Sequence, residues 1–530
     1  MVLLTKRMLS FLKTPPRIPE LLFAAVLIWL FAAGQGWQVL LADGDTGWHI
    51  RNGERIIDTR TVPHSDPFSF GSGGHPWFAW EWLSDVLFAA LFRRGGLKAV
   101  TVLCGIVIAA SVSVLLRHML WRSVGICLAL PLALLAAGAS SVHYLARPHV
   151  IGLLLFAVVA WIVDRDRASP ARFTWSLPLF FLLWANCHGS FLAGLGMLGL
   201  RLFETALRPA TLRWRNWSRR ERRTFWRAAM LLGASGAATL LNPYGWRLHA
   251  HAIEYLRSAW IQSAIEEFQS PRFRSENMLQ YEFLLLAGVS ALPWLLRRKQ
   301  FYPCCVILLW AHESLASVRH VPLYCLAACP FTGVWLQANW NRWLRGCRPG
   351  SLWRALDAIN FAWHPWYSGY TIWPWLLAIS LGATAAREAG SQVSFPASKF
   401  PVNLVERNSC RLASLAGSPR RVFSSDQWSD YLIFRLYPRA RVFFDGRSDF
   451  FGPWRGKSYQ ELMQGESDSP AILDRADVEL ALVPKDWALA GLLRRCPQWR
   501  VADADGQAVL FERDFPKDAF APNQKERDGR

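Results

Sequence analysis

Long apolar runs dominate this chain and restrict it to folds that a membrane can hold. A helix needs roughly 17 to 25 mostly apolar residues to cross the hydrocarbon core of a bilayer. Charged residues make up only 18% of the 530 residues, whereas soluble proteins carry about a quarter. Eleven segments qualify as spans, at about residues 21–41, 97–116, 123–141, 149–164, 173–187, 189–207, 226–241, 279–296, 301–318, 320–338 and 370–386.

The basic residues around these spans predict the orientation. When the spans alternate across the membrane, clusters such as "RPATLRWRNWSRRERR" and "NRWLRGCRPGSLWR" fall on one side, and the opposite loops hold fewer Lys and Arg. This asymmetry follows the positive-inside rule and predicts a cytoplasmic N-terminus. It also accounts for the formal net charge of +20 without nucleic-acid binding. The first span is too long for a signal peptide and is read as a retained anchor.

The segment "WFAWEWLSDVLFAALF" at residues 77–92 is predicted not to span. It is short, opens with aromatic residues and carries Glu81 and Asp85, which is typical of an amphipathic helix at the membrane interface. If it did span, every later loop would change sides and the charge asymmetry would be reversed. We therefore expect residues 42–96 to form one long outer loop, on the periplasmic side of a bacterial inner membrane.

The tail from residue 387 to 530 shows a different pattern. Short runs rich in Val and Phe predict strands at "RVFSS", "ARVFFDG", "VELALVP", "WRVADADG" and "AVLFERD". Helical patterns lie between them at "DQWSDYLIFRLYP", "WRGKSYQELMQ" and "DWALAGLLRR". The sequence thus predicts a polytopic α-helical membrane domain at residues 1–386 and a small periplasmic α/β domain at residues 387–530. In that domain Cys410 and Cys496 could form one disulfide.

Ionisable residues gather at the outer ends of the predicted spans, in "HYLARPH", "WANCHGS" and "NPYGWRLHAHAIEYL". Such groups at membrane depth usually line a cavity, so a polar site that opens outward is expected. The chain has no P-loop, no G-x-G-x-x-G turn after a strand and no G-x-S-x-G elbow. Because nucleotide donors are absent outside the bacterial inner membrane, a transferase there must take its activated donor from the lipid phase. A polyprenyl-phosphate sugar fits.

Asp43 and Asp45 follow the first span directly, in "DGDTGWHIRNGERI". A transferase needs a carboxylate to orient or deprotonate its acceptor, and Arg or a divalent cation at its donor phosphate. Hard cations such as Mg²⁺ or Mn²⁺ prefer carboxylate oxygens. An extended backbone would point both Asp side chains the same way. We therefore expect this pair to supply the catalytic or metal-binding carboxylate.

Two motifs carry a family resemblance. "DTGWHIR", Asp45 to Arg51, resembles the first outer-loop motif of oligosaccharyltransferase catalytic subunits, and "DPFSF", Asp66 to Phe70, is similar to its continuation in archaeal members. "SSDQWSDYL", Ser424 to Leu432, followed by "RVFFDGRSD", resembles the Trp-Asp-Tyr motif of the same family. The layout along the whole chain resembles the GT-C superfamily of lipid-linked glycosyltransferases.

The resemblance implies a membrane glycosyltransferase that passes a sugar from a polyprenyl-phosphate carrier, held in the membrane lipid, to a glycan, lipid or protein acceptor. It implies catalysis by Asp45, with Asp43 as its helper or as the true catalytic residue. It also implies acceptor binding by Trp428, Asp430 and Tyr431.

Further candidates come from the outer helix ends. Arg147, Arg319 and His149 are expected at the donor phosphate, because guanidinium groups match phosphate geometry with two hydrogen bonds. The alternative for either arginine is that it extends to the membrane interface or pairs with a local acid. Glu266 and Glu267 are candidates for a metal ligand beside Asp45, with Glu266 named tentatively, but a plain polar helix end is favoured for both.

Some features depart from the family pattern or leave it open. Gln427 stands where the family has a second Trp, and the second outer loop lacks an acidic pair. The stretch "FFDGRSDFF", with Asp445, Arg447 and Asp449, either binds an acceptor or forms a salt-bridged turn, and the turn is favoured slightly.

Two other classes of protein remain open. An O-antigen ligase or polymerase-like enzyme would use the outer Arg and His residues without needing Asp45. A transporter or a non-catalytic receptor would use the periplasmic domain to bind a ligand. A transporter should show interrupted spans in matching halves of the chain, and no such symmetry is seen in the sequence.

Overall fold

The chain folds as two compact units, neither of which is continuous in sequence. The computed structural model describes residues 15–32, 36–72, 75–207, 217–387, 393–414 and 417–514. The first unit comprises Met1–Ala42, Asn52–Val62 and Phe78–Ser394, and the second comprises Asp43–Arg51, Pro63–Trp77 and Phe395–Arg530. Two pieces of the predicted outer loop, residues 43–51 and 63–77, therefore fold with the C-terminal tail.

The first unit is built from helices. They are α1 (Ile18–Ala32), α2 (Gly36–Leu40), α3 (Asp45–Thr59, which begins in the second unit), α4 (Trp82–Trp121), α5 (Ile126–Ser140), α6 (His149–Ala168), α7 (Leu177–Cys187), α8 (Phe191–Leu207), α9 (Arg219–Ala238), α10 (Trp246–Arg257), α11 (Ala259–Ala264), α12 (Met278–Arg297), α13 (Phe301–Ala316), α14 (Val321–Leu344), α15 (Leu352–Trp363) and α16 (Trp373–Arg387). Short 3₁₀ helices include Ser141–His143, Glu266–Phe268 and Val318–His320.

Several of these helices have the length and composition of membrane spans. Within the described residues, four are long and apolar enough, namely Trp82–Trp121, Ile126–His143, Met278–Arg297 and Val318–Leu344. Shorter apolar helices lie at Ile18–Ala32, Phe301–Ala316 and Trp373–Ala383. The chain is thus a largely helical membrane protein, and the number of eleven spans stays a prediction.

The helix α4 contains a break that separates the predicted interfacial segment from the next span. Gly95 (φ −144°, ψ 20°) and Gly96 (φ 62°, ψ −161°) are not helical. The conformation of Gly96 is one that essentially only glycine adopts. The helical segments before and after the break can therefore point in different directions. This is what the prediction of a non-spanning segment at residues 77–92 requires.

The second unit is a small α/β domain. Its helices are α17 (Val402–Arg407), α18 (Ser409–Leu412), α19 (Asp426–Leu436), α20 (Ser448–Gln464), α21 (Ser469–Arg475) and α22 (Ala488–Leu493). Its strands are β1 (Arg420–Ser424), β2 (Ala440–Val442), β3 (Leu480–Pro484), β4 (Trp499–Ala504) and β5 (Ala508–Arg513). The five predicted strands and the three predicted helices of the tail are confirmed. Cys410 and Cys496 are both free thiols.

The five strands form one mixed sheet in the order β2-β1-β3-β5-β4. β1 runs parallel to β2 and β3, whereas β5 is antiparallel to both β3 and β4. Parallel neighbours need a crossover connection, and α19 supplies it between β1 and β2. The side chains of β3 and β5 are almost all buried, so the core of the unit lies on these central strands.

A piece of the predicted outer loop extends this sheet at its β2 edge. The backbone N of Phe70 donates to the carbonyl of Val442 at 3.1 Å, and the backbone N of Val442 donates to the carbonyl of Phe68 at 3.2 Å. Ser69 lies opposite Val442 in a parallel bridge. Backbone pairing thus binds the "DPFSF" motif to the strand that leads into "FFDGRSD".

Candidate functional site

Polar side chains follow the parallel strands β1 and β2 at their carboxyl ends. Ser425 follows β1 and caps α19, since its Oγ accepts a hydrogen bond from the backbone N of Trp428 at 3.3 Å. The same helix carries Asp430, and Asp445 lies just beyond the end of β2. The carboxyl ends of adjacent parallel strands meet at one edge of a sheet, which is where α/β folds bind ligands. Asp430 and Asp445 are therefore neighbours at that edge.

The polar segment at the start of α3 packs against α19. The backbone N of Gly44 donates to Oε1 of Gln427 at 2.8 Å. A Cβ on Gly44 would collide with the carbonyl of Gln427, and one on Gly47 would lie 2.9 Å from the carbonyl of Asp430 and 2.7 Å from Cβ of Phe434. The absence of side chains at the two glycines thus permits the close approach of the segment to α19.

This approach brings Asp45 against Asp430. Both carboxyl groups are buried, and an oxygen of each lies against Gly446. The backbone N of Gly446 donates to the two carboxyl oxygens of Asp430 at 3.1 and 3.2 Å. A Cβ on Gly446 would lie 2.6 Å from Oδ2 of Asp430 and would also collide with Oδ1 of Asp45. The three residues form one tightly packed contact.

Asp43 supports Asp45 from the preceding turn. Its Oδ1 accepts a hydrogen bond from the backbone N of Asp45 at 2.9 Å, and Asp45 is the first residue of the helix α3. The expectation of an extended backbone here is wrong, because the chain is helical from Asp45 onward. The two side chains therefore have different environments, with Asp43 at the helix start and Asp45 beside Asp430.

The environment of Asp430 favours its protonated form. Burial raises the pKa of Asp430 well above the usual range of a carboxyl group, and the charges of Asp45 and Asp445 raise it further. The hydrogen bond from Gly446 acts in the opposite direction. Because two adjacent buried carboxyl groups cannot both ionise without a large cost, the pair of Asp45 and Asp430 is expected to hold one proton at neutral pH.

Next to this pair, Arg447 binds two further carboxylates. Its Nε and Nη2 donate to Asp445 at 2.8 and 2.6 Å, and its Nη1 lies 2.8 Å from Oδ1 of Asp66. The guanidinium also lies over the rings of Phe68 and Trp77, at 5.1 and 4.7 Å from their centroids. The "FFDGRSD" stretch is thus a salt-bridged turn, although Arg447 pairs with Asp66 as well as with Asp445.

Asp66 of the "DPFSF" motif is held as a carboxylate. Burial alone would raise the pKa of Asp66, but the charge of Arg447 and hydrogen bonds from Ser69 and Phe68 lower it below its usual value. The backbone N atoms of Phe68 and Ser69 donate to Asp66 at 2.9 and 3.0 Å. The first-loop motif is therefore tied to the tail domain by charge as well as by backbone pairing.

The predicted donor-phosphate residues lie in the first unit. Arg147 donates from Nη1 to Oε1 of Glu267 at 2.7 Å. The guanidinium of Arg319 lies 4.5 Å from the ring centroid of Phe268. His149 Nε2 contacts the carbonyl of His143 at 2.6 Å.

The carboxylate of Glu267 interacts with the charges of these basic residues. Burial would raise the pKa of Glu267, but the charges of Arg147, His143, Arg319 and His149 lower it below its usual range. Both predicted arginines therefore act on one carboxylate, which identifies a compact basic cluster in the first unit.

Other predicted residues have different surroundings from those expected. Glu266 is 79% exposed and pairs with Arg272 at 3.2 Å, so Glu267, and not Glu266, joins the basic cluster. Trp428 is buried and donates from Nε1 to the carbonyl of Lys399 at 2.8 Å. Tyr431 is buried as well, in the core of the second unit. Acceptor binding by Trp428 and Tyr431 remains a prediction.

A divalent cation at the predicted ligands Asp45 and Glu266 stays a prediction. Within the described part of the chain, no group of three or more His, Cys, Asp or Glu side chains could hold a metal ion. Asp45 and Asp430 are a pair, and both oxygens of Asp445 accept hydrogen bonds from Arg447. Glu266, the other tentative ligand, is paired with Arg272 at the surface.

Three residues of this site were missed or given another role from the sequence. Asp430 pairs with Asp45, a contact that was not predicted, and its role in acceptor binding stays a prediction. Gly446 had no predicted role, although its place after a strand and before Arg447 is typical of a loop that approaches another backbone closely. Asp66 was recognised only as part of a motif. Its charge partner lies far away in sequence, so no local pattern reveals it.

The chain has a distant likeness to the GT-C glycosyltransferases. No protein-family model matches the chain, and no curated protein matches its sequence.

Individual solved structures define this likeness. The chain is similar to the archaeal oligosaccharyltransferase AglB from Archaeoglobus fulgidus in complex with an inhibitory peptide and a dolichol-phosphate, with 12% identity, a TM-score of 0.57, and coverage of 94% of this chain and 74% of that one. A structure of the oligosaccharyltransferase from the same organism with Zn and sulfate has 11% identity, a TM-score of 0.51 and coverage of 88% and 68%. ArnT from Cupriavidus metallidurans bound to undecaprenyl phosphate has 15% identity, a TM-score of 0.47 and coverage of 93% and 97%. At these identities the likeness is one of fold.

Proposed function

We propose that this protein is a membrane glycosyltransferase that moves a sugar from a polyprenyl-phosphate donor to an acceptor on the periplasmic face of the bacterial inner membrane. The observation that carries the proposal is the buried contact between Asp45, of the first-loop motif, and Asp430, of the tail motif. In this proposal residues 1–386 form the membrane domain and residues 387–530 the periplasmic domain. The likeness in fold to lipid-linked glycosyltransferases supports it.

The chemistry assigned to the pair is acid–base catalysis. The acceptor oxygen attacks C1 of the donor sugar, the bond between C1 and the phosphate oxygen breaks, and polyprenyl phosphate leaves with the electron pair. Asp45 accepts the proton of the acceptor hydroxyl. Asp430, protonated and hydrogen-bonded to Asp45, holds the base in position. Asp43 fixes the helix start on which Asp45 lies.

The donor phosphate is assigned to Arg147, Arg319 and His149. Guanidinium groups bind phosphate with parallel hydrogen bonds, and both arginines already act on the carboxylate of Glu267. A phosphate that binds Arg147 must therefore compete with Glu267 or displace it.

Substitution of Glu267 tests the assignment. In Glu267→Gln the negative charge beside Arg147 is removed, so we expect the KM for the polyprenyl-phosphate donor to fall about five- to tenfold, as the loss of a charge at hydrogen-bond distance from Arg147 would produce. Steady-state rates at varied donor concentration give this value. Glu266→Gln is the matched control and should leave KM unchanged, because Glu266 is exposed. A higher KM in Glu267→Gln would mean that Glu267 instead orients Arg147 for the donor.

A direct assay tests the function itself. The purified chain in lipid nanodiscs is mixed with a polyprenyl-monophosphate sugar labelled in the sugar, together with a glycan acceptor pool from bacterial envelopes. We expect release of polyprenyl phosphate and transfer of the label. Turnover of a polyprenyl-diphosphate oligosaccharide but not of the monophosphate sugar would favour an O-antigen ligase or polymerase-like enzyme. Binding of either donor without turnover would favour a transporter or a receptor.

A further inference from the structure

Arg455 is a buried cation in the second unit. It follows the break in α20 at Gly452 (φ 61°, ψ −171°), and it is only 8% exposed. Its Nη2 donates to the carbonyl of Phe70 at 2.9 Å and lies 3.5 Å from Oγ of Ser72. Its Nε has no hydrogen-bond partner. Within the described ranges no Asp or Glu forms an ion pair with it.

The electrostatics of Arg455 contrast with those of Arg447 in the same unit. Burial lowers the pKa of Arg455 and no neighbouring charge raises it, whereas two carboxylates flank Arg447. A guanidinium nevertheless stays charged in proteins. A buried charge without a partner is costly, and an anion brought by a ligand would remove that cost.

An exposed aromatic ring lies beside this cation. Trp454 is 56% exposed and is the one aromatic side chain among the exposed large apolar residues of the second unit, as far as that unit is described. The ring of His75 lies 6.4 Å away from it, between centroids. The guanidinium of Arg455 lies 5.0 Å from the ring of Trp454 and 4.2 Å from the ring of Phe443. Ligand sites typically combine such aromatic surface with a few placed polar groups.

We propose that Trp454, His75 and Arg455 form a binding site for an acidic saccharide, whose ring packs on Trp454 and whose carboxylate or phosphate pairs with Arg455. The assignment of that saccharide as part of the acceptor rests on the proposed function, but the binding itself requires no catalysis. The site uses Phe70, Ser72 and His75 of the predicted outer loop. The salt bridge between Asp66 and Arg447 ties the neighbouring part of that loop to the tail.

Binding is measured by saturation-transfer NMR on the full chain in nanodiscs of neutral lipid. Glucuronic acid and glucose 6-phosphate are the probes, glucose is the neutral match, and inorganic phosphate is the competitor without a sugar ring. We expect both acidic sugars to bind, glucose to bind at least about tenfold more weakly, and phosphate to compete poorly. Equal binding of glucose, or competition by phosphate as strong as by glucose 6-phosphate, would overturn the proposal. The proposal would also be overturned if the sugars were displaced when anionic lipid replaces the neutral lipid of the nanodisc.

Variants separate binding from folding and from catalysis. Arg455→Gln should remove the preference for acidic sugars over glucose. Trp454→Ala should remove binding of the acidic sugars and of glucose. It should not lower the melting temperature, since Trp454 is exposed. Val501→Ala, at another exposed apolar residue of the same unit, should change nothing. If Arg455→Gln has a lowered melting temperature, the test rests on Trp454→Ala. Unchanged sugar binding by Trp454→Ala would then refute the site. Asp45→Asn should retain sugar binding, so failure of the proposed function is distinguishable from failure of this site.

Discussion

Replacement of Asp45 by Asn is expected to slow sugar transfer by about 10²- to 10⁴-fold, the contribution that a positioned acid or base commonly makes. Asn keeps the shape and the hydrogen-bond acceptor of Asp but cannot take the proton of the acceptor hydroxyl. The effect should therefore fall on kcat with little change in the KM for the donor. Initial rates with a labelled polyprenyl-phosphate sugar measure both constants.

Asp43→Asn is the matched control for this variant. The Asn side chain still offers Oδ1 to the backbone N of Asp45, so the helix start that Asp43 fixes should survive. We expect the rate to fall at most about tenfold, as weakening of the hydrogen bond that caps the helix start would produce. If Asp43→Asn were the inactive variant and Asp45→Asn the active one, the catalytic role would belong to Asp43. Full activity in both would favour a ligase that uses only the Arg and His residues.

Replacement of Arg447 by Met should destabilise the second unit by about 3–5 kcal/mol, the usual cost of removing one partner from a buried ion pair. Met preserves much of the side-chain volume but leaves the carboxylates of Asp66 and Asp445 buried without a cation. Both lie on segments that carry the candidate site, so transfer should be lost as well. Thermal unfolding of the purified protein, followed by tryptophan fluorescence, measures the change.

Arg500→Met provides the comparison in the same unit. Arg500 pairs with Glu512 at 2.8 Å and with Asp514 at 3.2 Å, but its side chain is 60% exposed. Exposed pairs of this kind contribute at most about 1 kcal/mol. Similar melting temperatures for the two variants would show that the charges around Arg447 are solvated and that the salt-bridged turn does not hold the outer-loop motif.

Much of the architecture is readable from local sequence patterns. The strands and helices of the tail follow from runs such as "VELALVP" and "DWALAGLLRR", because alternation and apolar periodicity act over a few residues. The apolar character of the helical unit follows from composition in the same way. The break at Gly95 and Gly96 lies between the segment predicted to stay at the interface and the next span.

The candidate site was only partly predictable. Asp45 stands out because a carboxylate directly after an apolar span is unusual. The Trp-Asp-Tyr motif singled out Asp430, but not its contact with Asp45. The pairing of Glu267 with Arg147 was likewise not predicted. Adjacent glutamates look alike in a sequence, and only the positions of Arg147 and Arg319 distinguish them.

The sequence by itself determined a helical membrane protein with an α/β tail and pointed to Asp45 as a candidate carboxylate at the end of the first predicted span, since hydrophobic length and periodicity are properties of neighbouring residues. Tertiary structure alone decided that residues 43–51 and 63–77 fold with the tail, that Asp45 meets Asp430 across Gly446, and that Arg447 neutralises Asp66. These contacts join segments that are separated by most of the chain. Backbone pairing at β2 and close packing at glycines create the contacts, and local sequence patterns do not reveal them.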